Sequence, residues 1–84
     1  MILVVDVGNT NINFGVYREK ELEATFHITT KTPRTSDEYG VMLLDLLERK
    51  GIDVSELEGS IISSVVPDVM HSLVGGIVRY TNTE

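Results

Sequence analysis

Ile2-Leu3-Val4-Val5-Asp6-Val7-Gly8-Asn9-Thr10-Asn11-Ile12-Asn13-Phe14-Gly15-Val16 is the stretch that decides the fold. Residues 2–7 form an apolar run interrupted only by Asp6. Such a run suits a strand buried on both faces. Gly8-Asn9-Thr10-Asn11 is turn chemistry, because Gly and Asn accept the backbone angles that turns require. Ile12, Phe14 and Val16 then alternate with Asn13, Gly15 and Tyr17, the period of a second strand. Arg18-Glu19-Lys20-Glu21 makes a polar turn. A third strand follows, with Leu22, Ala24, Phe26 and Ile28 on one face and Glu23, Thr25, His27 and Thr29 on the other. Three strands joined by two tight turns predict an antiparallel meander.

Beyond the meander, residues 30–34 read as a loop punctuated by Pro33. Thr35-Ser36-Asp37-Glu38 fits a capping box, with Thr35 and Glu38 each satisfying the other's backbone amide. Tyr39, Met42, Leu43, Leu46 and Leu47 recur at helical spacing, and Gly51 is a fitting stop after the basic pair Arg49-Lys50. Residues 53–58 form a polar connector with room for a single turn. Residues 60–66 read as a fourth strand. Pro67 then opens a second helix through residue 80, with Asp68 in its first turn and a stripe of Val69, Met70, Leu73, Val74, Ile77 and Val78. Gly75-Gly76 weakens that helix by about 1 kcal/mol per glycine. The pair therefore requires either a close neighbour or a bend.

The order is β-β-β-α-β-α, an α/β fold. A helical crossover between the first and fourth strands makes them parallel neighbours, so the mixed sheet is expected in the order 3-2-1-4. That is the opening of a ribonuclease-H-like lobe, as in the actin and sugar-kinase superfamily and in the two-metal nucleases. Another parallel strand normally pairs beyond the fourth. The expectation is that residues 1–84 are the N-terminal part of a first lobe, truncated, with the second lobe absent. An open fourth strand and an exposed Gly75-Gly76 face would then favour self-association.

Composition narrows the function classes. Eighty-four residues make one small domain, which buries roughly 60–65% of its unfolded surface. Seven Lys and Arg against thirteen Asp and Glu give a net charge of −6. That balance argues against a nucleic-acid surface and against anionic membranes. With no cysteine there is no disulfide, thiolate metal site or thiol nucleophile. No apolar run reaches the length of a signal peptide or a membrane span. The chain reads as a cytoplasmic protein.

The chemistry sits in Asp6, Val7, Gly8, Asn9, Thr10, Asn11, Ile12 and Asn13. They place a carboxylate at the end of a buried strand, next to a tight hairpin. Turn amides and the Thr10 hydroxyl suit phosphate oxygens, and Gly8 lets backbone approach a ligand without a Cβ. Asp6 beside them suits Mg, which takes one or two carboxylates plus phosphates. The plainer reading is a hairpin turn with Asp6 as its first residue. An Asp ending a strand buried on both faces would need a compensating partner, which favours the functional reading. Elsewhere plain roles suffice. His27 falls on a polar strand face, and His71 sits on the second helix beside its apolar stripe, suited to a boundary or partner contact. Ser63 and Ser64 lack a nucleophile-elbow context and read as strand residues near a cleft. Lys31 and Arg34 read as solvated loop cations within reach of an anion. No spacing suggests zinc.

Three segments together resemble the type III pantothenate kinases, a family also described as Bvg accessory factor, a transcriptional activator. Asp6-Val7-Gly8-Asn9-Thr10-Asn11 with Phe14-Gly15 resembles the family's phosphate loop. Thr35-Ser36-Asp37-Glu38-Tyr39-Gly40 looks like its helix start, and Ser63-Ser64-Val65-Val66-Pro67 like its third motif. The resemblance covers essentially the whole chain. It implies a cytoplasmic homodimeric kinase that phosphorylates pantothenate with ATP, the first step of coenzyme A biosynthesis. It further implies Mg and a monovalent cation, potassium or ammonium. Asp6 to Asn13 would hold the ATP phosphates, with Asp6 near Mg; no substrate contact is assigned to the other two motifs. The family's Gly-Ala-Asp-Arg segment, with its catalytic base, does not occur here, so this stretch alone is expected to be inactive.

Two rival readings share these residues. A two-metal nuclease would use Asp6, Glu38 or Glu48, and Asp68. Glu38 is better explained as a cap and Asp68 as a helix-start residue. A non-catalytic regulatory fragment, a transcriptional activator, is the other rival, although no DNA-reading element is visible.

Overall fold

β1 (Ile2–Val7) is the hub of the sheet: β2 (Asn11–Arg18) pairs with it antiparallel on one side and β4 (Gly59–Ser64) parallel on the other. β3 (Glu21–Thr29) continues the meander from β2, so the strand order is β3-β2-β1-β4. Two helices, α1 (Ser36–Arg49) and α2 (Pro67–Thr81), complete the fold, with a short 3-10 turn at Val54–Glu56 in the connector. The computed structural model describes residues 1–30, 32–64 and 67–81, and of Pro67 and Asp68 the backbone alone. The readings that concern Lys31, Val65, Val66 and the Asp68 side chain lie outside the described residues. The expected α/β order and the mixed sheet are both present.

Both helices pack on the same face of the sheet. Leu3, Val5, Val7, Ile12, Phe14, Val16 and Phe26 point from the strands into one core with Tyr39, Leu43 and Leu47 of α1 and Leu73 and Ile77 of α2. Phe14 and Phe26 stack there across β2 and β3, with ring centroids 4.9 Å apart. The opposite face carries Ile2 and Val4, half-buried, and Asp6, exposed. β1 is therefore buried on one face, not on both. Its apolar run reflects central position in the sheet, and among the described residues no helix covers the second face.

The third strand also departs from simple alternation. The register slips between Val16 and Tyr17, so Ala24 pairs with Val16 but Leu22 pairs with Tyr17. A bulge of this kind moves the residues beyond it to the other face. Leu22 consequently lies on the open face, 51% exposed, instead of joining Phe26 in the core.

α1 begins and ends as its sequence dictates. The Thr35 hydroxyl accepts from the Glu38 amide at 3.1 Å, and the Glu38 carboxylate accepts from the Thr35 amide at 2.8 Å. At the far end Gly51 adopts a φ of 75°, which L side chains rarely tolerate. Its amide donates to the Glu48 carbonyl and the Ile52 amide to the Leu47 carbonyl, a Schellman stop.

The Gly75-Gly76 pair has its close neighbour. A Cβ on Gly76 would lie 2.5 Å from the Ser36 carbonyl oxygen and 3.1 Å from the Gly40 amide nitrogen, and one on Gly75 2.8 Å from Ser36 Oγ. Gly40 in turn leaves room for the Tyr80 ring. The glycine face of α2 is thus closed against α1 and is not an exposed surface. Tyr80 Oη donates to Asp37 Oδ1 at 2.6 Å, with the Arg79 guanidinium 3.7 Å from the same oxygen. Val78, expected in the buried stripe, is 39% exposed, because the face turned to α1 and the sheet is narrower than the apolar pattern.

Two predictions follow from this contact. Gly76→Ala should destabilise the chain by about 1–3 kcal/mol in urea denaturation, because the blocking atoms are backbone and cannot swing aside. The better helix propensity of Ala would offset only about 1 kcal/mol of strain; an unchanged or raised stability would contradict the close packing. The second concerns pH. Donation to Asp37 raises the Tyr80 phenol above its ordinary 10.0. The folded state therefore holds this proton more tightly than the unfolded chain does. The resulting stability is fully present below the unfolded value and is lost as pH rises through the folded one. Tyr80→Phe should flatten that alkaline loss in melts recorded across this range.

Candidate functional site

The Gly8–Thr10 turn leaves the C-terminal end of β1 and is held from both sides. Within it, the Gly8 amide donates to the Asn11 carbonyl at 2.9 Å. A Cβ on Gly8 would sit 3.3 Å from that same carbonyl oxygen, which favours glycine here by space alone. From the end of β3, Thr30 closes the turn with two bonds. Its hydroxyl donates to the Gly8 carbonyl at 2.8 Å, and its amide to the Thr10 carbonyl at 2.9 Å.

Those bonds orient the turn. In a trans peptide the C=O and the following N–H point in opposite directions. Thr30 draws the Gly8 carbonyl toward itself, which turns the Asn9 amide away from it. The Asn9 and Thr10 amides carry no hydrogen bond among the described residues, and both side chains are exposed. The result is a short run of backbone donors facing solvent, the geometry that suits an anion.

Eight residues were expected to form this site, and the fold divides them. Val7 and Ile12 are fully buried and anchor the turn to the core. Gly8, Asn9, Thr10 and Asn11 form the turn itself. Asp6 and Asn13 face the open side of the sheet as partners in register. The carboxylate of Asp6 is exposed, so solvent offsets its charge and no buried partner is required. Ser63 of β4 lies opposite Asp6 in the parallel register, and its hydroxyl donates to Asp6 Oδ1 at 3.3 Å. His27 extends the row on β3, opposite Asn13.

Sequence reasoning missed two members. Ser63 was read as a strand residue near a cleft; the parallel pairing of β1 with β4 brings it to the carboxylate. Thr30 was read as loop. Its signal was available only as a hydroxyl at the end of a strand whose partner strand leaves the same turn. The Asp6 carboxylate with the Ser63 hydroxyl offers oxygen ligands of the kind a hard cation such as Mg takes. Of the nuclease reading, the Asp68 side chain lies outside the described residues. Glu38 is engaged in the helix cap, and no group of three or more His, Asp and Glu suited to a metal occurs among the described residues.

Comparison with known proteins was made on the whole sequence. The family model for type III pantothenate kinase matches residues 2–84. A type III pantothenate kinase from Agathobacter rectalis is 54% identical over 82 residues, covering 98% of this chain and 32% of that protein. The chain spans about a third of the length of this curated relative.

The role of Thr30 is open to direct measurement. It is 6% exposed, so Thr30→Val should leave the Gly8 carbonyl short of a donor and cost about 1–3 kcal/mol in chemical unfolding. Thr30→Ser should restore most of that loss. Equal losses in both variants would mean that the methyl packing, not the hydroxyl, holds the turn.

Proposed function

The chain belongs to the type III pantothenate kinase family, and from that membership we propose that it supplies the ATP-phosphate-binding part of a kinase acting on pantothenate, the first step of coenzyme A biosynthesis. The observation that carries the reading is the turn at Gly8–Thr10. It presents the Asn9 and Thr10 amides next to the Asp6 carboxylate, with Thr30 holding both carbonyls away. Backbone amides donate to phosphate oxygens with no positive side chain, which suits a chain of net charge −6.

Each residue then has a defined task. Asn9, Thr10 and Asn11 surround the phosphates through amides and the Thr10 hydroxyl. Gly8 allows close approach, and Val7 and Ile12 hold the turn from the core. Asp6, steadied by Ser63, would hold Mg, and Asn13 lies next to it on the same face. Bound there, Mg supplies neutralisation of phosphate charge. The strand order and the helical crossover support reading residues 1–84 as the first part of a ribonuclease-H-like lobe of the actin and sugar-kinase superfamily. A cytoplasmic homodimer and a monovalent cation, potassium or ammonium, belong to the same family-based reading. Among the described residues, no helix is long and apolar enough to cross a membrane. We place the catalytic base outside residues 1–84, because the family's Gly-Ala-Asp-Arg segment that holds it does not occur in them.

Titration of the isotope-labelled chain with Mg-ATP tests the reading. Amide shifts should centre on residues 8–11 and weaken about tenfold or more in Asp6→Asn, as expected for the loss of a charge-assisted contact. Shifts elsewhere, with residues 8–11 unmoved, would sink it. The same purified chain should give no pantothenate-dependent turnover in a coupled assay.

A further inference from the structure

We infer that the recess between the β3–α1 loop and the first turns of α2 is a second anion site, distinct from the Gly8–Thr10 turn, for a small molecule carrying a carboxylate or phosphate. The recess has a volume of about 470 Å³ and is lined by Thr30, Thr32, Arg34, Tyr39, Val69 and Ser72, with Pro33 at its edge. Among the described residues its polar lining consists of a guanidinium and hydroxyls.

Arg34 is the first reason. The other three arginines are all neutralised: Arg18 by Glu23 and Glu56, Arg49 by Asp45, and Arg79 by Asp37. Arg34 has no ion pair among the described residues, in a chain with an excess of carboxylates. Nor is it a free loop cation, as its sequence context suggested. It is half-buried, its Nη1 donates to the Thr29 carbonyl, and its guanidinium carbon lies 5.8 Å from the centre of the Tyr39 ring. Backbone and ring together fix the group, while Nε and Nη2 keep their hydrogens for another acceptor.

Tyr39 is the second and independent reason. Its side chain is 4% exposed and sits in the core, where phenylalanine would pack equally well. Its hydroxyl makes no hydrogen bond among the described residues. No buried side-chain oxygen or nitrogen there lacks a partner, so this hydroxyl reaches solvent. Tyr39 also lines the recess. A buried tyrosine that lines a recess beside a fixed guanidinium is half of a binding site. Thr32 and Ser72, both hydroxyl residues, line the recess as well. An oxyanion can accept from the guanidinium and from hydroxyls alike, whereas a cation is repelled by the guanidinium and an apolar ligand leaves its hydrogens unmet.

The site shares only Thr30 with the phosphate turn, and its test is independent of the kinase reading. The labelled chain is titrated separately with inorganic phosphate and with acetate. Shifts should centre on the Arg34 side-chain Nε–H and the Tyr39 and Ser72 amides. Arg34→Gln should weaken them about tenfold or more, and Tyr39→Phe several-fold, with circular dichroism and unfolding midpoint preserved. A response to phosphate alone or to acetate alone identifies the group the recess takes. No shift at these positions with either anion, or shifts that survive Arg34→Gln, overturns the proposal. Mg-ATP shifts at residues 8–11 should persist in Arg34→Gln whichever way this result falls.

Discussion

Where α2 crosses α1, backbone meets backbone. Gly76 stands against the Ser36 carbonyl and the Gly40 amide with no room for a methyl group. This approach lets two helices share one face of a four-stranded sheet. Leu73 and Ile77, on either side of the glycine pair, then reach the same core as Leu43 and Leu47. A wider spacing would lift α2 off the sheet and open the layer between them. The glycines cost helix propensity, and close packing of the whole layer offsets that cost.

The placement of both helices has a consequence for the other face. Ile2, Val4, Tyr17, Leu22 and Ile61 lie there with Asp6, Asn13, His27 and Ser63, and Ile61 is 62% exposed. The polar residues gather toward the end of β1 that feeds the Gly8–Thr10 turn, and the apolar ones toward the opposite end. The sheet thus separates a packed side from a side that presents a carboxylate, a hydroxyl and turn amides together. Thr30 joins these two regions. It ends the strand that the Phe14–Phe26 stack holds in place, and it sets which way the turn amides face.

The sequence by itself determined every element and the strand order. Alternation over residues 12–29, the capping box at Thr35–Glu38 and the glycine at 51 each act within a few residues, so local pattern suffices to read them. It also located the turn after Asp6, because Gly and Asn in that run leave few other conformations. Only the tertiary structure decided which face of β1 is buried, where Leu22 points after the bulge, and that Ser63 and Thr30 serve the Asp6 turn. It alone showed that Arg34 is held over Tyr39 and that the paired glycines are a seam between helices. Each of these depends on which elements meet, on a register slip, or on how closely two backbones approach. Residue periodicity encodes which side of an element is apolar, but not which neighbour that side will find.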